Sequence, residues 1–494
     1  SGFWSRDRGF ESSRPNQAAL TPETGCEIPG MSIGAVVLAA GQGTRMKSSL
    51  PKVVHPVAGR AMVNWVLDAL RDAGVKHVVV VVGHGADAVR EALPADVAVV
   101  VQERQRGTGD AAQVGLSGLD ASCETVVVAC GDTPLLPSAL VARMIQEHGS
   151  EPRDATMLSA VVGDAGSYGR VVRGGDGAVA KVVEARDASS EELAIREYNA
   201  GLYVFARAAL EVALAGLGSS NSQGELYLTD ALEAVPGRVA AIVADDPETA
   251  AGVNDRVDLA VCEAAIQRRL REDLMRAGVT MPDPSAVYID AAVEVGRDTV
   301  LLPGTHLRGG TRVGERSTIG PDVVIVDSVV GDACTVVSAH ILRSSLADGA
   351  SVGPFAYLRP DTRLEPGAKA GTYVELKNTT LGPRAKVPHL SYVGDATVGE
   401  GANIGAGNIT ANYDGFRKHR TTIGARVKTG SDCVFVAPVT VGDDAMTGAG
   451  SIITEEIPAG ALGIARARQS NIEGFTAKAT ARAAAAEAKE ATGT

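Results

Sequence analysis

The chain has 494 residues, more than one ordinary domain holds, so two or more cores are expected. Its 45 % apolar content fits a globular chain, and a net charge of −12 offers no broad basic field for a nucleic-acid partner. The longest apolar runs, such as Val78 to Val82, are far too short to span a bilayer.

Residues 1–30 are polar, rich in Pro, Ser and Arg, and lack the apolar stretch of a signal peptide. They read as a disordered leader, with Met31 as the natural start. From 33 to about 256, strand-like and helix-like segments alternate. Strands are expected at Gly34 to Leu38, His77 to Val82, Val97 to Val101, Thr125 to Ala129 and Thr156 to Val162. Helices are expected at Met62 to Ala73 and Ala86 to Leu93. This alternation predicts an α/β domain with a mainly parallel, Rossmann-like sheet, whose ligands sit at the carboxyl ends of the strands. Asp255 to Ala277 lacks Gly and Pro and carries apolar Val257, Val261, Ala264, Ala265 and Leu270. It predicts a long connecting helix that ends at Gly278.

From about 287 to 453 a branched or small apolar residue recurs every six positions. One run is Ile289, Val295, Leu301, Leu307, Val313, Ile319, Ile325; another is Leu346, Val352, Leu358, Leu364, Ala370. A third is Ile423, Thr429, Phe435, Val441, Thr447, Ile453; between the runs lie Leu381, Val387 and Val393, then Val398 and Ile404 after a one-residue slip. A period of six fits neither a helix nor a simple alternating strand. It predicts a parallel β-helix of hexapeptide repeats, each repeat forming one flat side of a prism. The 57 glycines and 4 % aromatics suit such tight turns around a narrow aliphatic core. The period breaks at Asn412 to Arg420, a polar loop that reads as functional. The expected domains are 31–256 and 280–466, joined by a linker helix over 257–279. An arm and an Ala-, Lys- and Glu-rich tail, either loose helix or disorder, occupy 467–494.

The six cysteines, Cys26, Cys123, Cys130, Cys262, Cys334 and Cys433, form no C-x-x-C pair, which argues against a zinc site. Scattered single thiols point to a reducing cytosol, hence a cytoplasmic location.

The segment from Leu38, LAAGQGTRMKSSLPK, runs from a strand through Ala39 and Ala40 into Gly41 and Gly43, where backbone can approach a phosphate closely. Arg45 and Lys52 add cationic contacts. A G-x-G after a strand alone marks only a βα turn; the Arg and Pro-Lys make the string more specific, and it is not a P-loop. The string resembles the N-terminal signature of sugar-1-phosphate nucleotidyltransferases. Further strings are QERQRGTG from Gln102, GDTPL from Gly131, YGR from Tyr168, VVEARDA from Val182, EYNAG from Glu197, ELYLTD from Glu225 and GVNDR from Gly252. The β-helix contributes FAYLRP from Phe355, ELKN from Glu375, PHLSYVGD from Pro388, NIGAG from Asn403 and ANYDG from Ala411. With these, residues 31 to about 475 resemble the family of bifunctional bacterial N-acetylglucosamine-1-phosphate uridyltransferases/glucosamine-1-phosphate N-acetyltransferases.

The resemblance implies a left-handed β-helix and two reactions. Acetyl-CoA acetylates glucosamine-1-phosphate, and N-acetylglucosamine-1-phosphate then attacks the α-phosphorus of UTP with release of pyrophosphate. The product, UDP-N-acetylglucosamine, supplies peptidoglycan and envelope polysaccharide. By resemblance, Leu38 to Gly41, Arg45, Lys52, Cys130 and Gly131 line the nucleotide site, and Gln102, Gly107 and Thr108 recognise uracil. Gly169, Glu184 and Asn199 meet the sugar, while Asp132 and Asn254 hold Mg²⁺, which takes few protein oxygens. Asp132 on its own would read as a turn cap. One departure is Cys130, where the family often has an aromatic or small polar residue. It is expected to alter packing near the nucleotide and not the metal site.

His389 interrupts the apolar pattern between Val387 and Val393, and a neutral imidazole suits proton removal from an amine. The resemblance makes it the general base of acetyl transfer. Arg359 and Lys377 match phosphate contacts, and Tyr392 and Asn403 the remaining sugar-phosphate contacts. Ala406, Asn412, Tyr413, Ser431, Ala449 and Arg466 match the acetyl-CoA site. The family commonly packs as a homotrimer, with this site between subunits and Phe475 standing where a Trp is frequent. Two rival readings are a single-activity nucleotidyltransferase with a regulatory β-helix, and a scaffold with decayed sites. The PHLSY and NYDG strings oppose the first. Asp132, Asn254, Lys52 and His389 oppose the second.

Overall fold

A computed structural model describes residues 32–219 and 221–492. The expected leader, Cys26 and Met31 lie outside the described residues. The chain divides into two compact units between Thr311 and Arg312.

In the first unit, among the described residues, one sheet contains β1 (Ile33–Ala39), β2 (His77–Val82), β3 (Ala98–Val101), β4 (Thr125–Cys130), β5 (Ala155–Val161), β6 (Arg170–Arg173), β7 (Val179–Val183), β8 (Glu197–Ala206) and β9 (Val239–Val243). Its order is β9-β5-β8-β4-β1-β2-β3, with β6 paired to β8 and to β7. The valine-rich stretch β4-β1-β2-β3 is parallel; β4 and β1 are apolar runs buried on both faces, as suits parallel strands, and β3 is the partly buried edge. β8 runs antiparallel to both β4 and β5, so the sheet is mixed rather than mainly parallel throughout. The sequence hides β8 because its register slips between Asn199 and Tyr203, which breaks the alternation that marks a strand. Helices α1 (Met62–Asp72), α2 (Ala86–Ala92) and α3 (Thr108–Ser117) follow β1, β2 and β3. Two apolar clusters form the core, and Leu67 and Leu70 of α1 and Ala112 and Leu116 of α3 belong to different ones.

The long helix Arg256–Arg276 starts where the Asp255 carboxylate accepts from the N–H groups of Val257 (2.8 Å) and Asp258 (3.1 Å). Its buried side is Cys262, Ala265, Ile266 and Gln267, whereas Val257 and Val261 face solvent. Of the expected apolar stripe, Ala265 and Leu270 do pack inward, whereas Val257, Val261 and Ala264 face out. The buried side packs on Met46, Val57, Met62, Leu135 and Val253, beneath the glycine loop. The Gln267 amide pairs with both the N–H (3.0 Å) and the C=O (2.8 Å) of Ile289, which ties the helix to the first β-helical strands. There Val287–Ile289 pairs in parallel with Thr305–Arg308.

The second unit is a left-handed parallel β-helix of three stacked faces. Tyr357 faces Glu375 on the next coil, and Glu375 faces Tyr392 on the one after. The hexad residues fill the interior of both stretches: Ile289, Leu301 and Leu307 in the first unit, and Ile319, Leu358, Leu364, Val387, Phe435 and Val441 in the second, are buried. Corners take left-handed backbone at Asp327, Arg343, Asn378, Asp395 and Asp432. Asp and Asn accept that conformation more readily than most residues. Residues 412–420 are an insertion between coils, since Ala396 finds its partner only at Thr421. The tail forms a helix, Phe475–Thr492, with an exposed surface over the residues whose side chains are described. Among the described residues, no helix is long and apolar enough to cross a membrane.

Candidate active sites

In the first unit, β1 and β4 end side by side. Gly131 donates its N–H to the Leu38 carbonyl at 3.0 Å, so the LAAG segment and the GD pair share one edge of the sheet. Gly43 sits at φ 60°, and a Cβ there would lie 2.7 Å from Lys52 Cβ, so the loop closes onto Lys52 only with glycine. Lys52 forms an ion pair with Asp132, both mostly buried. The Asp132 carbonyl accepts from Val253 N–H at 2.8 Å, which sets Asn254 beside it. Asn254 Oδ1 accepts from Arg45 Nη2 at 2.8 Å, and its N–H donates to Asp258 Oδ2 at 2.8 Å. Arg45, Lys52, Asp132 and Asn254 thus form one cluster of alternating cation and oxygen donor. Asp132 Oδ2 and Asn254 Oδ1, one oxygen of each candidate metal ligand, accept from a cationic side chain. Among the described residues, no group of three or more His, Cys, Asp or Glu side chains converges as a metal site. A metal at this pair would therefore depend on substrate and water oxygens, a pattern that fits Mg²⁺.

The expected sugar residues also converge. Asn199 N–H donates to Gly169 O at 2.9 Å. A Cβ on Gly169 would stand 3.5 Å from Glu184 Oε1. Burial pushes the Glu184 carboxyl up, despite a hydrogen bond from Thr229 Oγ1 at 3.3 Å. Asn199 Nδ2 donates to the Tyr203 hydroxyl at 2.7 Å. Cys130 turns toward Gly201, and burial, aided by the Asp132 charge, pushes its thiol up to about 12.

Gln102 is buried at the end of β3, its N–H on the Val82 carbonyl at 2.8 Å. Gly107 has φ 112° and presses on the Leu226 carbonyl, which a Cβ would meet at 2.4 Å. Leu226 N–H donates to Arg106 O (2.7 Å), Gly109 N–H to Leu226 O (2.8 Å), and Leu228 N–H to Thr108 Oγ1 (3.0 Å). ELYLTD therefore clamps the GTG turn in place.

In the second unit the expected residues fall into two groups. Arg359 pairs with Glu375 at 3.0 Å, and Glu375 stacks on Tyr392. Lys377 lies 3.3 Å from Asp395, which also accepts from Asn378 Nδ2 at 2.7 Å and from Asn412 Nδ2. Asn412 Nδ2 reaches the Tyr392 hydroxyl at 3.4 Å. Asn412 thus sits with the phosphate-contact set. Burial alone would raise the Asp395 carboxyl; hydrogen bonds from Asn378 and Lys377 hold it below the ordinary carboxylate value. Lys418, from the inserted loop, faces Lys377, and this neighbour pushes the Lys418 ammonium down. Asp395, 3.3 Å away, holds the Lys377 ammonium up. Asp395 and Lys418 were not singled out from sequence, although both lie in strings that were: VGD and the NYDG loop.

The second group runs along one corner. Gly407 N–H points to His389 O (3.4 Å), Asp432 N–H donates to Ala406 O (2.8 Å), and Gly450 N–H to Ser431 O (2.8 Å). His389, Ala406, Ser431 and Ala449 therefore occupy successive coils, and Arg466 continues the column beside Gly450. Asn403 bridges Lys386 and Lys428 on the same face as the His389 strand. Tyr413 is not brought to this column by its hydroxyl, which donates to Gly415 O at 2.6 Å within the loop.

Residues 35–235 match the family of MobA-like NTP transferase domains. A "Bifunctional protein GlmU" of Mycolicibacterium gilvum is 49 % identical over 467 residues, covering 92 % of this chain and 94 % of the relative. Proteins of the same name from Streptomyces griseus (48 %; 92 % and 96 % covered) and Corynebacterium glutamicum (45 %; 93 % and 97 % covered) are similarly close. With nearly half of its residues shared along almost its whole length, and with both clusters in place, this chain belongs to the bifunctional GlmU family.

Proposed function

We propose that the chain makes UDP-N-acetylglucosamine by two transfers, each run by its own set of residues. The second unit moves an acetyl group from acetyl-CoA to the amine of glucosamine-1-phosphate. The first unit joins N-acetylglucosamine-1-phosphate to UTP and releases pyrophosphate. The observation that carries the first half is the Arg45–Asn254, Lys52–Asp132 cluster at the paired ends of β1 and β4. Asp132 and Asn254 would hold Mg²⁺, whose charge neutralises the triphosphate when bound. Arg45 and Lys52 supply fixed positive charge where the pentavalent phosphorus and the leaving pyrophosphate gather negative charge. Gln102, Gly107 and Thr108 take the uracil, and Gly169, Glu184 and Asn199 the sugar, so the attacking phosphate is oriented for in-line displacement.

For acetyl transfer, His389 removes a proton from the substrate amine as it attacks the thioester. Arg359, Lys377 and Lys418 hold the sugar phosphate, and the small-residue column Ala406, Ser431, Ala449 takes the pantetheine arm of acetyl-CoA. The working form is a cytoplasmic homotrimer, with Tyr413 and Arg466 completing a site on a neighbouring copy. Incubation with glucosamine-1-phosphate, acetyl-CoA, UTP and Mg²⁺ tests the whole reading, with free CoA and pyrophosphate followed together. Release of one product without the other, when each substrate is supplied separately, refutes a two-reaction enzyme. Sedimentation velocity tests the trimer; a monomer at micromolar concentration overturns it.

A further inference from the structure

Asp110, on the first turn of α3, is buried, with one carboxylate oxygen 2.9 Å from Arg106 and the other 2.7 Å from Gln102 Nε2. Gln102 Nε2 also donates to the Gly107 carbonyl at 3.2 Å. A side-chain amide nitrogen carries two hydrogens, and a carboxylate can only accept. Both hydrogens of Nε2 are therefore committed inward, and the only amide atom left to meet a ligand is Oε1. The opposite amide orientation would set Oε1 against both a carboxylate and a carbonyl, two repulsive contacts in a buried site.

We propose that Asp110 sets the base specificity of nucleotidyl transfer by locking the Gln102 amide with its oxygen toward the pyrimidine. The inference rests on the reading of Gln102 as the uracil contact. An outward carbonyl accepts from the N3–H of uracil. Cytosine presents a lone pair at N3, so the same oxygen repels it. Asp110 touches no substrate; it is a positioning residue, and its effect appears as selection rather than as overall rate. Arg106 strengthens the lock by engaging the far carboxylate oxygen, which leaves the near one for Gln102.

The test compares kcat/KM for UTP and CTP, with N-acetylglucosamine-1-phosphate and Mg²⁺, in the full chain, Asp110→Asn, Asp110→Ala and Gln102→Ala. In Asp110→Asn the guanidinium claims the amide oxygen and leaves Nδ2 facing Gln102, which favours the flipped orientation. The UTP:CTP ratio should fall about 10- to 100-fold, the effect of one polar contact made or reversed in a buried site. Asp110→Ala should lower it less, since Gly107 O still holds one hydrogen. The circular dichroism spectrum and melting temperature of each variant, set against those of the wild type, serve as the folding control. A folded Asp110→Asn that loses rate equally with both nucleotides, or keeps the wild-type ratio, overturns the role of Asp110 when Gln102→Ala does lower the ratio. An unchanged ratio in Gln102→Ala overturns the uracil reading itself, and this inference with it.

Discussion

His389 lies at the exposed end of its strand, where a substrate amine can reach the ring. As the proposed general base, it should lose about 10²- to 10⁴-fold in CoA release when replaced by Ala. Uridyl transfer with N-acetylglucosamine-1-phosphate should not change, and a wild-type rate of CoA release would reduce His389 to a surface residue. Asp132→Ala should do the converse, ending pyrophosphate release while CoA release continues. Asp395 makes a prediction through pH. Its folded-state pKa is depressed, so its contribution to stability is present above the unfolded carboxylate pKa of about 3.9 and fades as pH falls through the lower folded value. The gap in Tm between wild type and Asp395→Asn should open as pH rises from about 2 to about 5 and stay flat above. A gap independent of pH would mean that the carboxylate charge is not what holds Lys377 and Asn412. Cys130, for all its closeness to Lys52, should resist iodoacetamide at pH 8, because a thiol titrating near 12 carries almost no thiolate there.

At the scale of elements, the six-residue period was readable because a β-helix repeats one environment many times. Arg363–Leu364 is a two-residue strand with one side chain out and the other in. Leu364→Ala should cost about 2–5 kcal/mol in urea unfolding, whereas Arg363→Ala should stay within about 0.5 kcal/mol. Comparable losses at both would contradict the inward assignment. The valine runs of β1, β2 and β4 were legible for a similar reason: buried parallel strands need no alternation. What escaped had its cause in contacts distant along the chain. β8 was concealed by its bulge, and Val257 and Val261 mimicked a buried stripe to which Cys262 and Ile266 contribute beside the expected Ala265. The sequence strings brought the eye to Gln102, Lys377 and Asn412, but not to Asp110 or Asp395, which act by facing them. A carboxylate among 59 acidic residues has no local signature until its partners are known.

At the scale of the molecule, the proposed division at residue 256 and the compact unit ending at Thr311 differ by the long helix and the first coils. Met46, Val57, Met62 and Leu135 rely on that helix for cover, and Arg256 Nε holds the Met46 carbonyl at 3.2 Å. A fragment of residues 31–311 should therefore retain uridyl transfer and melt higher than one of residues 31–256. Equal melting temperatures would show that the helix is a passive linker.

The stacked coils also give the second unit a tolerance for changes in length. Strands pair from coil to coil at steps that vary by a residue, 16 from Val324 to His340, 17 from Tyr392 to Ile409 and 18 from Ser345 to Arg363. A one-residue difference is absorbed at a corner: the step from Val393 to Val398 is five rather than six, yet Val398 and Ile404 after it stay buried. Residues 412–420 stand outside these steps, because the coils on either side close without them. Natural length variation in such a protein should accumulate in this loop and at the corners between strands, and deletions inside the short strands themselves should be the costly ones.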